Sequence, residues 1–597
     1  MSSSPLKYSV SLDDVHGHRF GVVLYISQNI LRNRVARLQL PAWIPGSYML
    51  RDFAKHIETI SAYEVRQKKD IKHRLDIRKV DSHTWELPRT QGDVRVEYQV
   101  YAFDTSVRAA YLDQNRAFFN PSSLCLQLLE TSYPCEIEVL SPGIKGWKVE
   151  TTLAAKKIDS AGFGIYSANT YDELIDYPFA LGQFQEINWS SRGVPHKMMI
   201  QGAINQVDAL LLRKDLKAIC DTHIDFFEPV TQRPPFKSYT FIVNAVGDGY
   251  GGLEHRDCTV LLCKRDDLPY LNKNSRRSLA YEDFLGLCSH EYFHAWMVKR
   301  VKPKAFQPYL LDRANHTELL WLFEGFTSYY DDLQLLRSRR IDFSAYLTRI
   351  EKTWNMVLRG PGRFKQSVAQ SSFDAWTKYY QIDENTPNAV VSYYAKGSLI
   401  ALALDLMIRK HTKNQHSLDN IIRHLWQMYQ LTELGMSEND FDRAIEFILG
   451  PSFQRTWKTF KENYIFGTRD LPLKELLSSA NVRVIDKASN PAEDAEAAKQ
   501  LLGIRNMAVN GWIKLTHVFD GAYAYQAGLS AGDFISSIDG ERVTPSRWDG
   551  LLLNLIRKLN CQEEVSITAY RHETQFHVVI TPSPNIQKPE QYSLKPV

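Results

Sequence analysis

The feature that most constrains this chain is the pentapeptide His290-Glu291-Tyr292-Phe293-His294, which lies in an apolar run without proline. This run, residues 281–298, predicts a single buried helix. Residues four positions apart share one face of a helix, so the imidazoles of His290 and His294 can reach one cation. Glu291 then points beside that cation, where its carboxylate can accept a proton from water. Two neutral nitrogens, an open coordination position and a nearby carboxylate are the requirements of a zinc hydrolase.

A zinc site with two histidines commonly takes a glutamate as its third protein ligand. A second apolar helix is predicted from Leu319 to Tyr330, and it carries Glu324. Glu318 is the rival ligand, although its place suits the first turn of a helix, where negative charge is favourable. The alternative interpretation is a buried helix whose histidines are hydrogen-bonded core residues and whose glutamates are solvated.

The composition argues against several classes of function. The net charge is only +4 over 597 residues, and the absence of a dense Lys/Arg stripe argues against nucleic-acid binding. No run approaches the roughly 18 apolar residues of a membrane span, and the first residues contain no apolar signal segment. The seven cysteines form no C-x-x-C pair, which is typical of reduced thiols. We therefore expect a cytoplasmic protein that binds neither membrane nor nucleic acid.

Changes of pattern along the chain predict a multidomain α+β protein. Residues 1–190 carry short alternating runs, which predict an N-terminal antiparallel β domain. Residues 191–340 are mixed and contain the histidine motif, so we expect the catalytic domain there. Residues 341–485 are predicted to form an α-helical domain. A polar stretch, 486–500, is predicted to be a linker, and 501–583 is predicted to be a compact C-terminal unit.

The C-terminal unit has a motif of its own. Residues 527–533 read A-G-L-S-A-G-D and residues 535–540 read I-S-S-I-D-G. This pattern resembles the PDZ domains that accompany bacterial proteases. PDZ domains bind an extended peptide by adding it to a sheet edge. The segment 502–504 resembles a carboxylate-binding loop, which implies a C-terminal peptide as a ligand of this unit.

Two further groups fit the chemistry of a zinc site. Glu254 ends the sequence G-G-L-E, in which Gly251 and Gly252 let a substrate backbone come close, and its carboxylate can hold an α-ammonium group. Tyr394 precedes a predicted buried helix, and a tyrosine hydroxyl near the metal can stabilise a developing oxyanion. Each has a plainer alternative: Glu254 as an edge ion pair, and Tyr394 as an ordinary aromatic residue near a helix start.

Taken in order, the motifs G-G-L-E-H, H-E-Y-F-H, W-L-F-E-G-F-T-S-Y-Y and Y-A-K-G resemble those of the glycyl aminopeptidase family of gluzincin metallopeptidases. The loop 41–51, in which residues 43–51 read W-I-P-G-S-Y-M-L-R, and the PDZ-like unit share this resemblance, which covers nearly the whole chain. From its residues alone, that loop is either structural or reaches toward the active site. The resemblance implies a thermolysin-like catalytic domain and one zinc ion per chain.

The resemblance also assigns roles by motif. The E-G-F context favours Glu324 over Glu318, although its separation from His294 is longer than in the related aminopeptidase N family, and His255 stands where that family has asparagine. The implied zinc ligands are His290, His294 and Glu324, the implied general base is Glu291, the implied oxyanion stabiliser is Tyr394, and the implied substrate-binding residues are Gly251, Gly252 and Glu254.

The leading hypothesis is therefore a zinc aminopeptidase that removes N-terminal residues, Gly or Ala by the family resemblance, from peptides with a free N-terminus. Two alternatives stay open. One is a PDZ-containing peptide-binding scaffold with an inactive peptidase domain, and the other is a zinc endopeptidase. The presence of every catalytic residue type favours the enzyme over the scaffold.

Overall fold

The computed structural model describes residues 5–65, 72–130, 132–271, 278–487, 490–586 and 590–597. The chain divides into two compact units. The first comprises Met1–Asn315, Tyr330–Ile341 and Ile422–Ser437, and the second comprises His316–Tyr329, Asp342–Ile421 and Glu438–Val597. Four separate domains were predicted, and those boundaries stay predictions.

The N-terminal part of the first unit is built from β-sheets. Strand Asp93–Tyr101 shows why: every second side chain is buried, so one face covers a core. The largest sheet contains, in spatial order, Ala154–Ile158, Gly164–Ala168, Cys135–Val139, Leu6–Asp14, Arg19–Ile26, Asp93–Tyr101, Ile57–Val65 and Lys72–Leu75. Two four-stranded sheets accompany it. The first contains Lys148–Glu150, Phe179–Gly182, Arg116–Phe119 and Ala110–Leu112. The second contains Gln127–Leu128, Ala36–Gln39, Thr84–Leu87 and Arg78–Lys79.

A mixed five-stranded sheet follows in the same unit and positions the candidate site. Its spatial order is Gln185–Ser191, Val194–Gln201, Tyr239–Val246, Cys258–Lys264 and Gly251–Glu254. The two inner pairings are parallel and the two outer ones antiparallel. The last strand, Gly251–Glu254, is called the edge strand below. Among the described strands it pairs only with Cys258–Lys264, which leaves its other edge open.

Two helices pack on one another beside this sheet, Ala209–Phe227 and Leu279–Phe293. The second carries the histidine pentapeptide and is called the motif helix. It also contacts the edge strand, so the histidine motif and the G-G-L-E motif lie in neighbouring elements.

The second unit is helical over most of its length between residues 343 and 479. Its helices are Phe343–Arg359, Val368–Phe373, Thr386–Ala389, Ala395–His411, Asp440–Leu449, Pro451–Phe460 and Leu473–Ser479. Two more helices, Leu320–Arg337 and Leu418–Thr432, begin in this unit and continue into segments of the first. In the part of the chain that the structure describes, no helix is both long and apolar enough to cross a bilayer.

The C-terminal part of the second unit is an antiparallel sheet with helices around its own core. The strands are Ile504–Val509, Trp512–Val518, Phe534–Ile538, Glu541–Arg542, Val565–Arg571 and Thr574–Ile580, and the helices are Ala495–Leu502, Tyr523–Gln526 and Trp548–Asn560. Strand Val482–Asp486 pairs with Tyr592–Pro596 near the end of the chain. That the 501–583 unit is a PDZ domain stays a prediction.

The predicted linker, 486–500, is wrong in part. Residues 488 and 489 lie outside the described residues, but helix Ala495–Leu502 occupies the end of the predicted segment. Asp494 caps this helix, because its side chain accepts hydrogen bonds from the backbone N–H groups of Glu496 and Ala497. Ala498 and Leu501 enter the C-terminal core, so a stretch that is polar on average still holds one apolar helix face.

Candidate active site

The motif helix begins at a serine cap and ends sooner than its apolar sequence predicts. The Ser278 side chain accepts a hydrogen bond from the Tyr281 backbone N–H, 3.1 Å away. The last helical residue is Phe293, and His294 is the C-cap, still in right-handed helical conformation. The predicted continuation to Val298 is wrong, because Val298 has a φ of 94° and the chain turns there. Both histidines nevertheless stay one helical turn apart.

The two motif histidines are held by their Nδ1 atoms. His290 Nδ1 lies 3.1 Å from a carboxylate oxygen of Asp331, and His294 Nδ1 lies 2.9 Å from the Met297 carbonyl. Both acceptors favour a proton on Nδ1, which leaves Nε2 as the lone-pair nitrogen of each ring. The two Nε2 atoms lie 3.2 Å apart. The sequence prediction that both imidazoles share one face is therefore confirmed, and Asp331 is a positioning residue that the sequence did not reveal.

Glu291 lies buried between the motif helix and the edge strand. A side chain at Gly252 would overlap its carboxylate, so the glycine makes room for it. Carboxylate oxygens of Glu254 and Glu291 and a ring nitrogen of His294 all lie within 4.8 Å of one another. The structure thus brings the proposed base and the proposed amine anchor to the same point of the first unit.

Glu254 is covered by the loop 41–51. This carboxylate is buried, and its Oε1 atom forms no hydrogen bond with any described residue. Gly46 adopts a φ of +97° in a turn closed by the Ser47 N–H on the Ile44 carbonyl. A Cβ at Gly46 would lie 2.6 Å from Glu254 Oε1, so only glycine fits both the turn and the carboxylate. Of the two interpretations of this loop, the structure supports the one in which it reaches the site.

His255 belongs to an ion cluster beside the edge strand. Its Nδ1 lies 3.5 Å from Asp176, which also pairs with Lys299 and Arg256. Burial alone would raise the pKa of Asp176, but Lys299, His255 and Arg256 outweigh it and hold that pKa well below its ordinary value. The side chain of His255 is therefore buried beside this carboxylate at the end of the edge strand.

In the second unit, Glu324 is buried on helix Leu320–Arg337. Asp331 follows it by two helical turns on the same helix, so the two side chains share one helix face. A Cβ at Gly325 would lie 2.6 Å from the Gly397 Cα, which shows that this helix crosses helix Ala395–His411 backbone to backbone. Glu318 precedes the helix and is partly exposed.

Tyr394 caps the N-terminus of helix Ala395–His411 within a group of tyrosines. Its hydroxyl lies 3.0 Å from that of Tyr380, and its ring stacks on Tyr393 with centroids 4.8 Å apart. Tyr393 is fully buried, whereas Tyr394 is partly exposed. Of the two neighbours, Tyr394 is therefore the one with a face open to solvent.

The chain is similar to known peptidases. Sequence profiles match at residues 7–183 for the Peptidase M61 N-terminal domain and at residues 283–400 for M61 glycyl aminopeptidase. The crystal structure of an aminopeptidase N family protein from Idiomarina loihiensis is 38% identical, covers 99% of this chain and 98% of its own, and superposes with a TM-score of 0.89. Comparison with curated proteins gives no match.

Two more distant structures are also similar in part. An M1 zinc metallopeptidase from Deinococcus radiodurans is 12% identical, covers 79% of this chain and 95% of its own, and has a TM-score of 0.46. Native yeast LTA4 hydrolase is 12% identical, covers 84% of this chain and 73% of its own, and has a TM-score of 0.47. At these values neither supports a conclusion about this chain.

Proposed function

The chain belongs to the M61 peptidase family, and from this premise we propose that it is a zinc-dependent aminopeptidase. Its substrates are peptides with a free N-terminus, from which it releases single residues, Gly and Ala best. One observation carries the proposal. Two histidine Nε2 atoms converge to 3.2 Å, and the carboxylates of Glu254 and Glu291 lie beside one of those rings.

The donor set suits zinc. Two nitrogens at zinc–nitrogen distances of about 2.0–2.1 Å are roughly 3.3 Å apart at a tetrahedral angle, close to the 3.2 Å between the His290 and His294 Nε2 atoms. By the family resemblance, His290, His294 and Glu324 would hold one ion per chain. When bound, zinc supplies Lewis acidity, which polarises a carbonyl and makes a water more acidic.

Glu324→Gln should weaken zinc binding far more than Glu318→Gln, and the reverse order would reassign the third ligand.

The side chains of the site then divide the chemistry. Glu291 accepts a proton from the attacking water as the new C–O bond forms at the scissile carbonyl. As the C–N bond breaks, Glu291 returns that proton to the leaving amine, so it is regenerated in each turnover. Tyr394 donates a hydrogen bond to the oxyanion that develops between these steps.

The position of Glu254 makes the reaction an exopeptidase reaction. Its buried carboxylate can form a charge-assisted hydrogen bond with the substrate α-ammonium group. The turn at Gly46 lies against the same carboxylate, so backbone occupies the space into which a longer N-terminal chain would extend. An N-acetylated peptide would bring no charge and would leave Glu254 without a partner.

A second ligand is proposed for the C-terminal unit. Among the described strands, Ile504–Val509 pairs only with Trp512–Val518, so one of its edges is open to an added strand. The segment 502–504 leads into this strand, of which Ile504 is the first residue, as a carboxylate-binding loop does in PDZ domains. We therefore keep a C-terminal peptide as the ligand of this unit. Deleting residues 501–597 should spare the cleavage of dipeptides, provided that the remaining chain folds.

One assay tests the proposed function directly. Purified protein is given a panel of aminoacyl p-nitroanilides and their N-acetylated counterparts, and its metal content is measured. We expect one zinc per chain, turnover of the free amines, and no turnover of the acetylated compounds. Glu291→Gln should retain zinc and lose most turnover. Internal cleavage of acetylated peptides would favour the endopeptidase, and inactivity on every substrate would favour the scaffold.

A further inference from the structure

An arginine outside every predicted motif reaches the edge strand. Arg108 Nη2 donates a hydrogen bond to the Gly252 carbonyl, 3.1 Å away, and its Nη1 lies 3.7 Å from where a Cβ of Gly251 would stand. The side chain is partly exposed. Among the described residues it forms no ion pair, and its Nε is buried without a hydrogen bond. A guanidinium group has five N–H donors, so most of its capacity is unused.

The backbone that carries Arg108 is fixed on both sides. Asn120 is fully buried, and its side-chain amide donates to the carbonyls of Val107 at 3.0 Å and Ala109 at 3.3 Å. The Arg108 N–H in turn donates to the Ser106 hydroxyl, 3.3 Å away. Because these bonds hold the residues before and after it, Arg108 is presented to the edge strand from a fixed position.

Spacing along the edge strand relates Arg108 to Glu254. Strand residues advance about 3.3 Å each, so Gly252 lies roughly 7 Å from Glu254 along the strand. The two residues of an extended dipeptide span about 7 Å from amine to carboxylate. A dipeptide added to the open edge, with its amine on Glu254, would therefore bring its carboxylate close to the guanidinium group.

We propose that Arg108 binds the C-terminal carboxylate of the substrate and so makes dipeptides the preferred substrates. This inference rests on the proposed aminopeptidase function and names the substrate class of the same site. A planar guanidinium group matches a carboxylate in geometry as well as in charge. The plainer explanation is that Arg108 only joins two parts of the first unit through the Gly252 carbonyl. The two explanations differ in whether the carboxylate of the substrate matters.

The test compares alanyl-alanine with alanyl-alanine amide, using the full-length protein loaded with zinc. The two compounds share the amine and the scissile bond, and they differ only in the C-terminal charge. We expect the wild-type protein to have the higher kcat/KM for the free acid. Arg108→Ala should reduce kcat/KM for the acid roughly 10- to 100-fold more than for the amide, the usual effect of one charge-assisted hydrogen bond. Arg108→Lys keeps the positive charge but lacks the planar pair of N–H donors. Its loss of kcat/KM for the acid relative to the amide should lie between those of the wild type and Arg108→Ala.

A matched control is Arg78→Ala, since Arg78 is an exposed arginine of the same unit paired with Glu86. Its ratio of acid to amide kcat/KM should equal that of the wild type. Equal losses on both compounds in Arg108→Ala and Arg108→Lys, or a wild-type protein indifferent to the carboxylate, would overturn the role of Arg108. Inactivity of the wild-type protein toward both compounds and toward p-nitroanilides would instead overturn the proposed function.

Discussion

Two pairs of histidines in the first unit show how one residue type serves two purposes. His290 and His294, the site pair, are held through Nδ1 and turn their Nε2 atoms toward each other. His196 and His223, the core pair, are buried. Their Nε2 atoms lie 2.8 Å from the Tyr292 hydroxyl and 2.9 Å from the Ser289 hydroxyl.

The comparison separates the proposed metal ligands from the core histidines by the group that lies at Nε2. In the core pair each Nε2 is hydrogen-bonded to a hydroxyl group of the motif helix, so the ring stabilises the position of that helix. Burial lowers the pKa of His196 to about 4 and that of His223 to about 3, which keeps both rings neutral at pH 7. In the site pair the second nitrogen is directed at a shared point, as a metal requires.

The largest effect is expected when one histidine of the site pair is replaced. His290→Ala should abolish zinc binding, because one imidazole and Glu324 are too few ligands to hold the ion. Turnover should then fall to the background rate. His196→Gln is the matched control from the core pair. It should retain one zinc and most activity, while losing about 1–3 kcal/mol of unfolding free energy through a weakened buried hydrogen bond. Metal analysis and p-nitroanilide turnover check both. Full zinc in His290→Ala would contradict the assignment of the pair.

The next effect concerns the oxyanion. Tyr394→Phe should retain zinc and lose about 10²–10³ in kcat, the usual effect of removing one oxyanion donor. Its neighbour Tyr393 is fully buried, so Tyr393→Phe should alter kcat much less. Steady-state kinetics on the same p-nitroanilide decide between them. A larger loss in Tyr393→Phe would transfer the role to that residue.

A smaller effect tests the positioning of the site pair. Asp331→Asn removes the charge that favours a proton on His290 Nδ1, so zinc affinity should fall about 10- to 100-fold. Asp332→Asn, the next residue on the same helix, is the control. Competition with a chelator measures both affinities. Similar losses of zinc affinity in the two variants would mean that Asp331 acts only through the negative charge near the site and not through its contact with His290 Nδ1.

Local spacing predicted the site pair and Glu291, because a helix places residues four apart on one face whatever the rest of the chain does. The end of that helix could not be predicted. Trp296 and Met297 are as buried as the residues before them, so hydropathy continues past the turn at Val298. Asp331 could have been found, since it lies two helical turns from Glu324.

The contacts that complete the site could not be predicted, because they join distant segments. Gly46 lies against Glu254, and Arg108 bonds to the carbonyl of a residue 144 positions away. No periodicity links such residues, and only the packing of β-sheets in the first unit brings them together. The residues of loop 41–51 left two interpretations open, a structural loop or one that reaches the active site, so its contact with Glu254 was only one of them.

The smallest expected effect concerns the core pair and tests whether His223 stays neutral in the folded protein. The pKa of His223 is lowered in the folded protein, to about 3 from an ordinary 6.5. Below pH 6.5 the unfolded chain therefore binds a proton that the folded chain does not, and stability falls as pH decreases, by about 1.4 kcal/mol per pH unit. His223→Gln removes this titration. Its deficit in unfolding free energy relative to the wild type should therefore shrink by about 2 kcal/mol between pH 6.5 and 5. Urea unfolding at several pH values measures the difference, and a constant deficit would mean that His223 is not held neutral by burial.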